Sequence, residues 1–278
     1  MGLAVATLAP AAVSTALVLW GDESQQANYL PAFVGEDVPP AALAIMEPHA
    51  LFDAFALRST AQGKAGGYVL NGVKSLVPGA AKAELFVIAA QLDGAPRLFV
   101  VESSTHGLTI EAEPAMGLRA AGMGRVILDN VVVPATAVLG SVDDYADCVR
   151  LSRLGWAALA TGTAQAVLDY VIPYVNERTA FGEPVSNRQS VAFMVANIGI
   201  ELEGIRLATY RAASRAEQGK SFARDTAVAR RLASEYGMQI GSDGVQLLGG
   251  HGFVKEHPVE RWYRDLRAVG LMEGAVLV

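Results

Sequence analysis

The pattern of apolar and polar positions changes twice along this chain of 278 residues. An almost wholly apolar opening stretch leads into a polar linker that ends in two adjacent prolines. Short β-like runs separated by Gly, Pro, Asp and Asn then extend to about residue 140. Apolar residues recur at helical intervals from there on, over three long segments. The pattern predicts an α+β multidomain protein: a helical segment (1–41), a small β-barrel or β-sandwich domain (42–140) and an antiparallel bundle of the four-helix-bundle type (141–278).

Composition narrows the class of protein. Apolar residues make up 52% of the chain and charged residues 18%, which indicates a folded protein with a large core. A net charge of −6 provides no basic field for nucleic acid. The single cysteine, Cys148, excludes an internal disulfide and fits a reducing, cytoplasmic location. Its acidic neighbours raise a thiol pKa, so no catalytic thiol is expected. The four histidines lack metal-ligand spacing, and no metal is predicted.

The opening stretch, "GLAVATLAPAAVSTALVLW", has the length of a membrane span or signal sequence. No Lys or Arg precedes it, Pro10 interrupts it, and small residues dominate it. We therefore expect a buried helix and no membrane span.

The segment "ERTAFGEPVSNRQ" (177–189) closes the first long helix and places Arg178 and Phe181 three residues apart, on one helical face. An arginine beside an exposed aromatic residue at a helix end can clamp a pyrophosphate through bidentate hydrogen bonds. The alternative interpretation is structural: a helix that ends at Gly182, with Arg178 complementing the helix dipole. The spacing alone favours the structural interpretation.

Two further motifs allow a chemical and a structural interpretation. In "QLLGGHGF", Gly249 and Gly250 end a helix and allow a ligand to approach the backbone, and Gln246 could bind an amide or hydroxyl. In the structural interpretation, the two glycines only form a turn. In "LMEGAVLV", Glu273 is either a surface residue or a base that apolar neighbours desolvate.

Taken together, these motifs resemble the acyl-CoA dehydrogenase family. The likeness runs through the chain: "YLPAFVGED", "GYVLNGVK", "MGLRAAGMGRVILDNVVVP", "ERTAFGEPV", "QLLGGHGF" and "RDLR" followed by "EG". The resemblance implies an N-terminal helical domain, a middle β domain and a C-terminal helical bundle. Residues 1–41 would then be the remnant of the first domain, and the final helix of the bundle is also expected to be missing.

The resemblance implies a function as well. Members oxidise an acyl-CoA thioester to a trans-2-enoyl-CoA, with FAD as hydride acceptor and a carboxylate that removes the α-proton. Glu273 matches the catalytic base, and Arg153 matches an arginine near the acyl-CoA pocket. A homo- or hetero-oligomer that shares FAD sites is implied, with an electron-transfer flavoprotein as electron acceptor. The positions that match contacts to the pyrophosphate and adenine end of a neighbouring subunit's FAD are Arg178, Phe181, Gln246, Gly249 and Gly250.

The β domain departs from the family pattern where the flavin ring would bind. Met46 and Phe52 replace residues with hydroxyl groups, and Leu76 and Pro78 replace a tryptophan and a threonine. Proline offers neither a hydroxyl nor a backbone N–H. This predicts, as an alternative to an active dehydrogenase, a non-catalytic subunit that completes a partner's FAD site. A flavin oxidase, a flavin monooxygenase or an acyl-CoA lyase on the same fold is a third interpretation.

Overall fold

The computed structural model describes residues 1–276. The chain forms two compact units, one of residues 2–152 with the segment from Met272 onward, the other of Met1 with Arg153–Leu271. The helices are α1 Gly2–Trp20, α2 Glu23–Tyr29, α3 Val142–Glu177, α4 Gln189–Glu217, α5 Ala223–Leu248 and α6 Val259–Ala268. The strands are β1 Ala41–Ala44, β2 Thr60–Lys64, β3 Gly67–Val77, β4 Leu85–Leu92, β5 Ala95–Glu102, β6 Leu108–Ala112, β7 Gly124–Pro134, β8 Val138–Leu139, β9 Thr179–Ala180 and β10 Glu183–Pro184.

The first unit is built on an eight-stranded mixed sheet. Its strands run in the order β6-β7-β3-β2-β4-β5-β8, and β1 pairs with β4. The β1–β4 and β2–β4 pairs are parallel, and the other pairs are antiparallel. The first six residues of β4 are buried, which explains why this strand is an unbroken apolar run rather than an alternating one.

Helix α1 covers one side of this sheet. Val13, Ala16 and Leu17 are buried in a core cluster with residues of β1, β4 and β5. The opposite face of α1 is exposed, with Leu3 and Leu8 each more than half accessible. Within residues 1–276, α1 has the length and composition to cross a membrane, a test that core helices of globular proteins also pass. The helix is therefore buried on one face, as expected, and exposed on the other.

The second unit is helical, with α3, α4 and α5 as its long elements. Glycines allow the helices to pack closely. A Cβ at Gly244 would lie 2.6 Å from Cγ1 of Val167 on α3, and one at Gly241 would lie 2.9 Å from Cα of Tyr263 on α6. The predicted class, helices followed by a β-sheet domain and a helical bundle, is confirmed. The proposed boundaries at residues 41 and 140 stay predictions.

Candidate functional site in the helical unit

A small hairpin follows α3 and carries two of the predicted site residues. Helix α3 ends at Glu177, and β9 and β10 pair in antiparallel fashion around Phe181 and Gly182. Both turn residues have positive φ, 56° and 87°, as in the tight turns that suit right-twisted hairpins. The prediction that Arg178 and Phe181 share a helical face, and the alternative of a helix ending at Gly182, are therefore wrong. The turn leaves the Phe181 ring 95% exposed.

The glycine motif ends α5 as predicted. Gly249 follows the last helical residue with φ 57° and ψ −131°, a conformation that only glycine adopts readily. Gly252 is required for a different reason, since a Cβ there would lie 2.2 Å from the carbonyl oxygen of Val245. Open space surrounds the Cβ positions of Gly249 and Gly250, so a ligand has room to approach that backbone.

These two chain segments, together with the start of α4, line one cleft of about 370 Å³. Arg178, Gln246 and Gly249, which come from two distant motifs, line it together. Phe181 and Gly250 belong to the same segments but are not among its lining residues. Among residues 1–276, no ion pair neutralises the guanidinium of Arg178. The cleft therefore offers a free cation, an amide and an accessible backbone, a donor set suited to a phosphate group.

Tyr174 and His251 are among the lining residues that the sequence motifs did not indicate. Tyr174 lies on α3, and the backbone N–H of Arg178, the residue after the helix, donates to the Tyr174 carbonyl at 2.9 Å, so the last turn places both on one face. Its hydroxyl lies 2.9 Å from Nδ1 of His251. The i,i+4 spacing could have indicated Tyr174. No comparable signal marked His251, because its partners come from another helix.

A buried ion pair in the β unit

Glu47 and Lys74 form an ion pair inside the β unit, with 2.8 Å between Nζ and Oε1. The Lys74 ammonium also donates to the carbonyl of Ile45, and the backbone N–H groups of Arg58 and Ser59 donate to the Glu47 carboxylate. Burial raises the pKa of Glu47, but Lys74 and these N–H groups outweigh it and lower the pKa to about 2. Burial lowers the pKa of Lys74 to about 8, against the opposing effect of Glu47. The sequence analysis did not predict this pair.

The low pKa of Glu47 predicts a loss of stability in acid. The folded-state pKa lies below the ordinary value of 4.5, so the stabilisation is complete above pH 4.5 and is lost as pH falls towards 2. We expect Glu47→Gln to flatten the decrease in unfolding free energy between pH 5 and 3, as urea denaturation would measure it. The control, Glu84→Gln, removes an exposed carboxylate and should retain the wild-type slope. A wild-type slope in Glu47→Gln would contradict the assignment.

The four positions where the family resemblance predicts a loss of flavin-ring contacts, Met46, Phe52, Leu76 and Pro78, lie in the β unit. Met46 and Phe52 are buried in the core cluster that also contains residues of α1. The backbone N–H of Leu76 donates to the carboxylate of Glu113 at 2.6 Å. Pro78 has no N–H to give. The side chains at these four positions carry no hydrogen-bond donor for a ring system.

Glu273 is buried, with 5% of its surface exposed. The hydroxyl of Ser152 donates to its Oε1 at 2.9 Å. Glu273 has φ 57° and Gly274 has φ 108°, so a tight turn aims the carboxylate inward. The N–H of Ala275 donates to the carbonyl of Phe52 and fixes the turn on the β unit. The interpretation of Glu273 as a surface residue is therefore wrong for this structure.

Two residues of α3 near Ser152 were assigned from the sequence. Arg153 is half-buried, and its contact with an acyl-CoA stays a prediction. Cys148 is buried and its thiol pKa is raised, as expected for an inert thiol. The main cause is burial and the second is the charge of Glu273, rather than the neighbouring aspartates in the sequence.

Comparison with known proteins

Two family models match this chain. The model described as "Acyl-CoA dehydrogenase, middle domain" matches residues 42–131, and "Acyl-CoA dehydrogenase, C-terminal domain" matches residues 146–276. The short/branched chain specific acyl-CoA dehydrogenase of Rattus norvegicus is 36% identical over 264 residues, which are 91% of this chain and 61% of the relative. The chain thus spans less than two thirds of that protein.

Solved structures agree with the sequence relatives. Butyryl-CoA dehydrogenase from Megasphaera elsdenii has a TM-score of 0.90 and 29% identity, with 99% of this chain and 74% of that chain covered. A structure described as "PigA with FAD and proline" has a TM-score of 0.91 and 27% identity, with 99% and 74% covered. From its motifs, its fold and these matches, the chain belongs to the acyl-CoA dehydrogenase family.

Proposed function

We propose that this chain is a subunit of a heteromeric, FAD-dependent acyl-CoA dehydrogenase, in which its helical cleft completes the flavin site of a related partner. The assembly would oxidise an acyl-CoA thioester to a trans-2-enoyl-CoA, the flavin supplying the hydride acceptor. By family resemblance, an electron-transfer flavoprotein would take up the electrons. The one cysteine, buried and unpaired, supports a cytoplasmic location.

The cleft of the helical unit carries this proposal. It brings Arg178, Gln246 and Gly249 together without an ion-pair partner for Arg178 among residues 1–276. A guanidinium binds a diphosphate through paired, charge-assisted hydrogen bonds, and a side-chain amide suits the edge of a base. The exposed Phe181 supplies an aromatic surface at the tip of the neighbouring hairpin. Together they support binding of the diphosphate and adenosine portion of FAD.

The β unit does not fit the flavin ring, which argues that another subunit holds it. Met46 and Phe52 fill the core, the N–H of Leu76 is bound to Glu113, and Pro78 lacks one. A flavin ring carries several acceptors that need donors from the protein. We therefore derive no catalytic step on a flavin held by this β unit.

The visible absorption spectrum tests the proposal. The chain would be purified alone and after co-expression with each acyl-CoA dehydrogenase-family protein of its own genome. We expect the chain alone to bind FAD only weakly, through its diphosphate and adenosine end, and therefore to show no flavin bands once free FAD has been removed by gel filtration. A co-purifying complex should show flavin bands that bleach with an acyl-CoA. Bands that bleach in the isolated chain would overturn the partner requirement, and colourless complexes would overturn the proposal.

A second candidate is a dehydrogenase that works with Glu273 of this chain as base. The observation that favours it is the buried carboxylate of Glu273, which a strained turn and the Ser152 hydroxyl hold in place. Removal of the weakly acidic α-proton of a thioester needs a carboxylate shielded from water. The first candidate is preferred because the side chains of Met46, Phe52, Leu76 and Pro78 offer no hydrogen-bond donor to a flavin ring in this β unit.

Glu273→Gln separates the two candidates. The substitution keeps the shape of the side chain and removes its basicity. We expect turnover of the reconstituted complex to stay within about twofold of wild type, because removing a true general base costs about 10²–10⁴-fold. Ser152→Ala is the matched control, since it removes the hydrogen bond and leaves the carboxylate. A loss of that size in Glu273→Gln, with Ser152→Ala active, would establish the second candidate.

A further inference from the structure

Two stacked imidazole rings lie beside the cleft of the helical unit. The rings of His251 and His257 have centroids 5.2 Å apart and planes inclined by 15°. Each Nδ1 lies against a tyrosine hydroxyl of α3, His251 against Tyr174 at 2.9 Å and His257 against Tyr170 at 2.7 Å. The proposed function as stated above uses none of these four side chains. His251 and Tyr174 line the cleft together with Arg178.

The Tyr174 hydroxyl contacts both the carbonyl of Leu248, at 3.3 Å, and Nδ1 of His251. It has a single hydrogen, and one arrangement that satisfies both contacts has that hydrogen donated to the Leu248 carbonyl. Its oxygen then accepts from Nδ1 of His251, so both contacts are satisfied when Nδ1 carries a proton. Nε2 remains as the nitrogen for a further partner. A neutral ring presents a lone pair there, and a charged ring presents a second N–H.

The ring of His251 is also held in orientation. The parallel ring of His257 packs against one face, and the edge of Tyr174 approaches both imidazoles, with centroid distances of 6.1 and 5.9 Å. Packing of this kind reduces the conformational entropy lost when a ligand binds. A ring fixed beside Arg178 in one cleft is suited to bind the same anionic group.

We propose that His251 is a second cationic ligand, beside Arg178, for the diphosphate of the dinucleotide in this cleft, and that Tyr174 and His257 position it. This rests on the proposed function, which assigns the cleft to the diphosphate end of FAD. When charged, His251 donates from Nε2 to a phosphate oxygen while Nδ1 stays bonded to Tyr174. An anion at Nε2 thus stabilises the doubly protonated ring.

The proposal predicts that binding is stronger in mild acid. Tyr174 of α3 and His257 of the following loop contact this ring, and Arg178, which follows α3, lines the cleft with it. The other described lining residues, from α4 and α5 and the segments beside them, are uncharged. Tyrosine and arginine do not titrate between pH 6 and 8. The diphosphate diester of FAD keeps its charge there as well. A change in affinity over this range therefore reports an imidazole.

Calorimetric titration of the full chain at pH 6 and pH 8 tests this, with FAD and with ADP-ribose, a diphosphate diester that lacks the flavin ring. We expect wild type to bind both probes about five- to tenfold more tightly at pH 6, as a charge-assisted hydrogen bond is gained. His251→Gln should bind with equal affinity at both pH values. His106→Gln, an exposed histidine of the β unit, should behave as wild type.

Two further variants identify which proposal fails. Tyr174→Phe should reduce the pH dependence while tight binding at pH 6 is partly kept, and Arg178→Ala should weaken binding at both pH values. Wild-type pH dependence in His251→Gln, with binding still lost in Arg178→Ala, would overturn the role of His251 alone. Absence of binding by the wild-type chain would overturn the assignment of the cleft and this inference together.

Discussion

Arg178→Ala should lower the FAD affinity of the assembled complex by about 10- to 100-fold. The guanidinium lines the cleft without an ion pair within residues 1–276, so in the bound state its hydrogen bonds are available to the diphosphate. Hydrogen bonds to charged groups contribute about 1.5–3 kcal/mol each, which corresponds to this range. The residue is exposed at the end of α3, and its removal should leave the helical circular dichroism unchanged.

Two variants make that measurement specific. Arg231→Ala removes an exposed arginine of α5 that pairs with Glu235, and it should retain wild-type affinity. Arg178→Lys keeps the charge but loses the planar pair of donors, so its FAD affinity should lie between those of wild type and Arg178→Ala. Affinity would be read from flavin fluorescence during dilution of the complex. Unchanged affinity in Arg178→Ala would remove Arg178 from the diphosphate site and leave the cleft without its principal cation.

The sequence predicted the elements better than their ends. Short β-like runs and the turn residues between them located the β unit, and helical periodicity located α3, α4 and α5. The end of α3 was misplaced because Phe181 adopts a positive φ, which is uncommon for a residue other than glycine. The hairpin, rather than the helix, is what exposes the Phe181 ring. A pattern of residue types carries little information about such a turn.

The candidate site was predicted through its motifs, and its remaining parts depend on distant contacts. Arg178 and Gln246 belong to separate motifs that the family resemblance assigned to one site, and both line the same cleft. The stack of His251 and His257 escaped prediction because its orientation depends on tyrosines of α3. The pairing of Glu47 with Lys74 was not predicted either, because each residue taken alone in the sequence is expected to be an ordinary surface charge. Tertiary packing decides which polar groups meet.

Lys74→Met should destabilise the protein by about 3–5 kcal/mol, the cost of leaving one partner of a buried ion pair uncompensated. Lys74 is fully buried and Glu47 is 3% exposed, so water cannot replace the lost ammonium. Methionine fills similar volume, which keeps the cavity contribution small. Glu47 would retain its bonds from Arg58 and Ser59 but would bear an unneutralised charge. Urea denaturation at pH 7 measures the difference as a shift in midpoint.

The double variant Glu47→Gln/Lys74→Met distinguishes loss of the ion pair from loss of packing. Removing both charges eliminates the uncompensated one, so the double variant should be more stable than Lys74→Met alone. Lys82→Met, at an exposed lysine of the same unit, should remain within about 0.5 kcal/mol of wild type. If the unfolding free energy of Lys74→Met also stays within about 0.5 kcal/mol of wild type, the ion pair contributes nothing to folding stability. Glu47 would then be held only by the backbone N–H groups of Arg58 and Ser59, the two residues that precede β2.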